Sequence, residues 1–244
     1  MHHFVRHQRF TEIINIQDDL INTFRQDFLK YSPKADTRCL NNVLANVAQQ
    51  IGYQIKYSRL SEGFSNPTIK KAFALLATAK LITKVSATTP AGLPLSANAT
   101  GKVFKAIFLD IGLLVRLSGL SVSHEYQKNN LLATYRGALA EQFIGQELRA
   151  GGQELYYWRR NAKSSTAETD YLIVKRGQII PVEVKSGSKG RLRSLHLLMK
   201  EYQNIAQAAV FLDAPFAGEN DDRIKYLPLY AVSGFLRGKM FNSV

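Results

Sequence analysis

The sequence predicts an α/β (α+β) protein in which a helical N-terminal region precedes a core with the element order αβββαβ. Three observations carry that expectation. In residues 4–31 and 39–51, apolar side chains recur every three to four positions, the period of an amphipathic helix. Beyond residue 150, short β-branched and aromatic runs at 154–158, 167–174, 179–185 and 208–212 alternate with turn residues, which is the signature of strands. Helical patterns at 135–149 and through Leu195, Leu198, Met199 and Tyr202 fall before the first and the last of these runs.

Taken in order, Ile13, Ile16, Leu20, Phe24 and Phe28 or Leu29 form the stripe of the first helix, which Ser32-Pro33 ends. Residues 1–36 are thus expected to be an amphipathic linker helix. Residues 37–87 read as three helices and a strand. The first runs from about Cys39 to Ile51, with Leu40, Val43, Leu44, Val47 and Ile51 inward, and the second is short, at Ser58-Arg59-Leu60. The third opens at Asn66-Pro67 as N-cap and first residue, with Ile69, Phe73, Leu76 and Ala77 inward. A strand at 81–85 completes the order of a winged-helix module, whose third helix enters a major groove. Lys70 and Lys71 on that helix, with Lys80 and Lys84 beyond, are candidates to contact phosphates, against the alternative of a solvated face. Residues 90–101 read as loop and 103–109 as strand; a boundary near Asn129 closes a winged-helix-like domain with its connecting segment at 37–129. Residues 130–244 form the core domain.

Within the core, Val182 and Val184 point to one face of a strand while Glu183 and Lys185 share the other. Asp170 lies on the preceding strand, joined to it through a turn at Arg176-Gly177-Gln178, so two strands bring Asp170 close to Glu183. Oxygen ligands of this kind suit Mg²⁺ or Mn²⁺, with Lys185 placed to orient water and stabilise phosphate charge. A solvated Glu-Lys pair is the competing reading. Glu141 falls on the apolar stripe of its helix with Ala138, Ile144, Gly145 and Leu148, where a carboxylate needs a cation, a hydrogen-bond network or a wet cleft. An ordinary capped or salt-bridged helix acid is its alternative. Arg191 and Arg193, at the start of the next helix, are candidates to grip phosphate.

With Glu141, Asp170 and Glu183-x-Lys185 in these positions, the core resembles the PD-(D/E)XK phosphodiesterase superfamily. More closely, Arg136-Gly137-Ala138-Leu139-Ala140-Glu141, Tyr156-Tyr157-Trp158-Arg159, Ala167-Glu168-Thr169-Asp170 and Ile180-Pro181-Val182-Glu183-Val184-Lys185 resemble the domain of unknown function that follows the P-loop module in a family of prokaryotic AAA-type ATPases. Leu93-Pro94-Leu95 and the stretch from Phe104 to Leu114 resemble that family's linking segment. The resemblance implies Glu141, Asp170, Glu183 and Lys185 as catalytic residues and Asp170, Glu183 and Glu141 as ligands of Mg²⁺ or Mn²⁺. No G-x-x-x-x-G-K-[ST] occurs. The expectation is a C-terminal-half protein that binds no nucleotide and whose ATPase is either lost or separately encoded.

The 244 residues carry 32 Lys and Arg against 19 Asp and Glu, a formal charge of +13, with 45% apolar residues. That composition is globular, and the positive excess favours a polyanion, DNA above all, with a membrane surface as the other candidate. Cys39 is the sole cysteine, so neither an intrachain disulfide nor a cysteine-rich zinc site forms. His2, His3 and His7 crowd one end, and His124 and His196 are isolated. The longest apolar run, around 106–115, is broken by Asp110 and is too short to span a bilayer. A cytoplasmic protein without membrane association is expected. Asp221-Asp222 reads as part of a solvated acidic loop, and residues 230–236 as packing. Two functions follow: a metal-dependent nuclease, or a non-catalytic DNA-binding or assembly module that keeps the nuclease fold, alone or docked on a separate ATPase.

Overall fold

A computed structural model describes residues 10–31, 35–119, 131–162, 165–187, 191–216 and 223–238. His2, His3, His7, His124, the boundary near Asn129 and Asp221-Asp222 lie outside these residues. The chain forms two compact units, one of residues 1–50, 55–83 and 108–129, the other of residues 51–54, 84–107 and 130–244.

The first unit is helical. Helix α1 is Phe10–Tyr31, α2 Thr37–Gln49, α3 Asn66–Thr78 and α4 Ile111–Leu117, with a 3-10 turn at Tyr57–Arg59. Side chains start three of them: Asp36 accepts from Cys39 N–H at 2.9 Å, Ser65 from Thr68 N–H at 3.4 Å, and Asp110 from Leu113 N–H at 3.0 Å. The cap of α3 is therefore Ser65, one residue before the expected Asn66, and Pro67 follows within the first turn, where its missing N–H costs nothing. Val43, Leu44 and Val47 of α2 and Ile69, Phe73 and Leu76 of α3 are buried as their spacing requires. Helix α1 differs from its expected stripe. Ile21 and Phe28 are buried, whereas Ile16 and Leu20 are each 44% exposed, so the packed face is rotated toward Ile21. Arg116 of α4 holds Asp18 of α1 through two hydrogen bonds of 2.6 and 2.7 Å.

Among the described residues the second unit is built on seven strands: β1 Ile82–Ala87, β2 Thr100–Phe108, β3 Tyr156–Arg159, β4 Glu168–Lys175, β5 Gln178–Lys185, β6 Ala208–Leu212 and β7 Ile224–Pro228. Their order is β2-β1-β3-β4-β5-β6-β7. Pairing is parallel for β1 with β3, β5 with β6 and β6 with β7, and antiparallel for β3 with β4 and β4 with β5. The strands read from 81–85 and 103–109 thus join the core sheet. Helices α5 Leu131–Ala150, α6 Arg193–Glu201 and α7 Val232–Leu236 complete the unit.

Period-two alternation feeds two buried clusters. Tyr157, Tyr171, Val182, Val184 and Phe211 pack with Ile144 and Leu148 of α5 and Phe235 of α7. Their neighbours Trp158, Leu172, Ile179 and Val210 pack with Leu195 and Leu198 of α6. A sheet covered on both faces explains why its strands read as nearly continuous apolar runs. The few polar residues inside it therefore need partners.

Candidate functional site

The site arises where β4 and β5 stop pairing. Their ladder runs from Lys175 opposite Gln178 to Tyr171 opposite Val182. Between β3 and β4, Tyr156 faces Leu172 but Trp158 faces Thr169, so β4 carries one extra residue across Asp170 and Tyr171. Such a bulge redirects side chains and interrupts the ladder. Just past the last β4–β5 pair, the Val184 N–H donates at 2.8 Å to Oδ2 of Asp170. A side chain replaces a backbone partner there, which fixes Asp170 against the end of β5.

Alternation places Glu183 and Lys185 on one face, and the Lys185 ammonium donates to Glu183 Oε1 at 2.6 Å. Glu183 is buried, and its Oε2 accepts no hydrogen bond. Glu141 enters from α5. The Tyr171 hydroxyl donates to the Glu141 carbonyl at 2.9 Å, clamping the helix to β4. A glycine at 145 permits this, because a Cβ there would run into the Tyr171 hydroxyl.

At the centre stands a residue the sequence reading did not single out. Lys105 of β2 is 3% exposed; its ammonium lies 2.9 Å from Glu141 Oε1 and 3.7 Å from Asp170 Oδ1, and it contacts Glu168 Oε1. The other Glu168 oxygen accepts from Gln54 at 2.5 Å, and the Gln54 carbonyl oxygen accepts from Arg159 at 3.0 Å. One signal was available in the sequence. A lysine within the apolar run 103–109 has to be buried, and a buried lysine needs carboxylates.

Among the described residues four carboxylates, Glu141, Glu168, Asp170 and Glu183, thus meet two ammonium groups, Lys105 and Lys185, which leaves 4 − 2 = 2 negative charges when all are ionised. Burial pushes the Glu141 carboxyl up to about 8; Lys105 opposes this and the Asp170 charge adds to it. Burial and then the Asp170 charge push Glu183 up to about 7, against the pull of Lys185. Asp170 is raised by burial, with Lys105 and the Val184 N–H opposing. Burial alone would lower Lys105, but Glu141, Asp170 and Glu168 outweigh it and hold the ammonium above its ordinary range. Solvent reaches the cluster, since Asp170 is 19% and Lys185 27% exposed.

The donors that suit a hard divalent cation are the oxygens of Glu141, Asp170 and Glu183. Among the described residues no group of three or more His, Cys, Asp or Glu is arranged to hold a metal ion, and the Lys105 ammonium lies among these carboxylates. Arg191 is exposed, and Arg193, also exposed, is the first residue of α6. In the first unit, Lys70 and Lys71 are exposed on α3, with the Lys70 ammonium 5.7 Å from the Tyr57 ring centroid. Lys84 reaches the Gly101 carbonyl at 3.4 Å.

A mixed α/β protein with a buried carboxylate–lysine cluster at the splayed end of a strand pair is the class this geometry defines. Residues 1–124, more than half of the 244, match the family described as Domain of unknown function (DUF8612), and the chain belongs to that family. Residues 136–232 match a second domain of unknown function, DUF4143, a C-terminal type associated with AAA ATPases. No curated protein matches the chain. A solved structure, the crystal structure of protein VC1899 from Vibrio cholerae, is similar at 12% identity with a TM-score of 0.29; the match covers 95% of this chain and 56% of that one. Among the described residues no helix is long and apolar enough to cross a membrane.

Proposed function

We propose that this chain is a metal-dependent phosphodiesterase of the PD-(D/E)XK type acting on DNA, with a winged-helix-like N-terminal region. The observation that carries this reading is the cluster at the parting of β4 and β5. There Asp170, Glu183 and Lys185 meet Glu141, with two more carboxylates than ammonium groups and one buried Glu183 oxygen without a hydrogen bond. One divalent cation would balance that charge. Asp170 and Glu183 would hold Mg²⁺ or Mn²⁺, and Glu141 would serve a second ion or a bound water. When bound, the ion supplies Lewis-acid polarisation of a phosphate oxygen and a more acidic water. Lys185, anchored on Glu183, stabilises charge on the phosphate. The +13 excess and the exposed Lys70, Lys71, Arg191 and Arg193 favour a nucleic-acid substrate. A separately encoded AAA-type ATPase is the protein partner of this proposal.

Incubation with plasmid and single-stranded DNA in Mg²⁺ or Mn²⁺ tests this, beside Lys185→Ala and Asp170→Asn. Metal-dependent cleavage by the wild type that both substitutions abolish is the expected result. Cleavage that survives Lys185→Ala would come from a contaminant.

A second reading is favoured by Lys105, whose ammonium already lies against three of the carboxylates. On that reading the chain binds DNA or assembles with an ATPase without cleaving anything. Thermal melting in millimolar Mn²⁺ separates the two. A ligand at a hundredfold excess over its Kd stabilises by about 2.7 kcal/mol. The phosphodiesterase reading expects such a shift for the wild type and none for Asp170→Asn; equal shifts would favour the second reading.

A further inference from the structure

We infer that Lys105 is a tethered internal cation that competes with a divalent ion for Glu141 and Asp170, and that Glu168 is the anchor onto which Lys105 withdraws when the ion binds. The inference deepens the metal-site reading and rests on it.

Lys105 is shared unequally. Its bond to Glu141 and its proximity to Asp170 are to side chains that an ion would need, whereas Glu168 belongs to no candidate ligand set. Glu168 is held from outside the cluster: Gln54 donates to its second oxygen, and Arg159 donates to Gln54. Glu168 therefore stays in place whether or not Glu141 and Asp170 turn to another partner. A lysine stem is flexible and its ammonium is a compact point charge, so a short swing trades three carboxylates for one. Such a swing costs little because the ammonium remains paired throughout, whereas a buried lysine left unpaired would be expensive. The divalent ion, for its part, cannot join Glu141 and Asp170 while an ammonium lies against them. Like charges in a buried site, where the effective dielectric is below that of water, repel strongly. Lys105 is thus a positioning residue that sets how much free metal is needed to fill the site, and it relieves the repulsion between the carboxylates until then.

Isothermal titration of the full chain with MnCl₂ tests the inference, using the wild type, Lys105→Met, Glu168→Gln and the double variant. Lys105→Met is expected to bind Mn²⁺ more tightly, by about 5- to 150-fold, the ordinary range for coupling between two sites. A merely structural lysine would loosen binding when removed. Glu168→Gln is expected to weaken binding, because Lys105 loses its refuge and leans harder on Glu141 and Asp170. In the Lys105→Met background the same Glu168→Gln change is expected to shift affinity by less than about twofold, since the anchor then has nothing to hold. An equal loss in both backgrounds would mean a through-space field and would overturn the withdrawal. Equal Mn²⁺ affinity in the wild type and Lys105→Met would overturn the competition while leaving the metal site standing. No binding by any of the four proteins would overturn both. Binding by Lys105→Met but not by the wild type supports the inference in its strongest form. Should Lys105→Met fail to fold, Lys105→Gln takes its place in both backgrounds with the same expectations, and unchanged or tighter binding by Glu168→Gln overturns the withdrawal in any case.

Discussion

The bare Cα of Gly145 lets Tyr171 reach the Glu141 carbonyl, and this contact ties α5 to β4 beside Glu141. Gly145→Ala is expected to destabilise the protein by about 1–3 kcal/mol, the usual cost of overpacking, while Tyr171→Phe loses only about 1 kcal/mol with its hydrogen bond. Urea melts of the two variants check this; equal losses would mean that the approach of the two elements is looser than it looks. The site acids add a pH dependence. Glu141 and Glu183 are raised by burial to about 8 and about 7, so without a divalent cation they hold protons more tightly folded than unfolded. The unfolded state then binds fewer protons between the ordinary glutamate range and those values, and stability falls as pH rises through that window. Melting temperatures measured across it should decline, and Glu141→Gln should flatten the decline. Glu141, Asp170, Glu183 and Lys185 were legible in the sequence because strand alternation and helix spacing are local rules. For Lys105 the apolar run signalled burial but not the partner, since Glu141 lies 36 residues away and only the fold joins them.

Elements were read well where burial follows a single period, and less well where a stripe has two possible edges. Helix α2 buries Leu40, Val43, Leu44 and Val47, as its spacing dictates. Along α1 the apolar residues cover a broad arc, and periodicity alone does not say which edge of that arc meets the core. Packing selects Ile21 and leaves Leu20 outside. Accordingly, Ile21→Ala is expected to cost about 2–4 kcal/mol and Leu20→Ala to stay within about 0.5 kcal/mol, as judged by chemical denaturation. Comparable losses would return the buried face to the originally expected stripe. Strands β1 and β2 show the complementary limit. Their β character is visible in the sequence, but a parallel partner such as β3, some 70 residues from β1, is not encoded by any local turn. That distant pairing puts β2, and with it Lys105, in the sheet that carries the other site residues.

At the scale of the whole molecule the dominant quantity is charge, and it leads to a prediction independent of catalysis. If the excess of 32 basic over 19 acidic side chains holds a polyanion, it does so through phosphate contacts, which release counterions and so weaken as salt rises. Each contact contributes about 0.9 to the slope of log affinity against log salt, so four contacts would lower affinity roughly a hundredfold between 50 and 200 mM salt. Fluorescence anisotropy with a short duplex of arbitrary sequence measures that slope. If Lys70 and Lys71 on α3 make two of the contacts, replacing both with alanine should reduce the slope by about 2. Arg191→Ala with Arg193→Ala should do the same if the start of α6 contributes the other two. A mere loss of net charge would weaken binding equally for any two surface lysines, so Lys200→Ala with Lys225→Ala serves as the matched comparison. The same reduction there would assign the affinity to diffuse charge and remove α3 from the interface. Because phosphate contacts carry no base information, a scrambled duplex should bind as well as the first, and a tenfold preference between them would require base-reading side chains that neither α3 nor the start of α6 supplies.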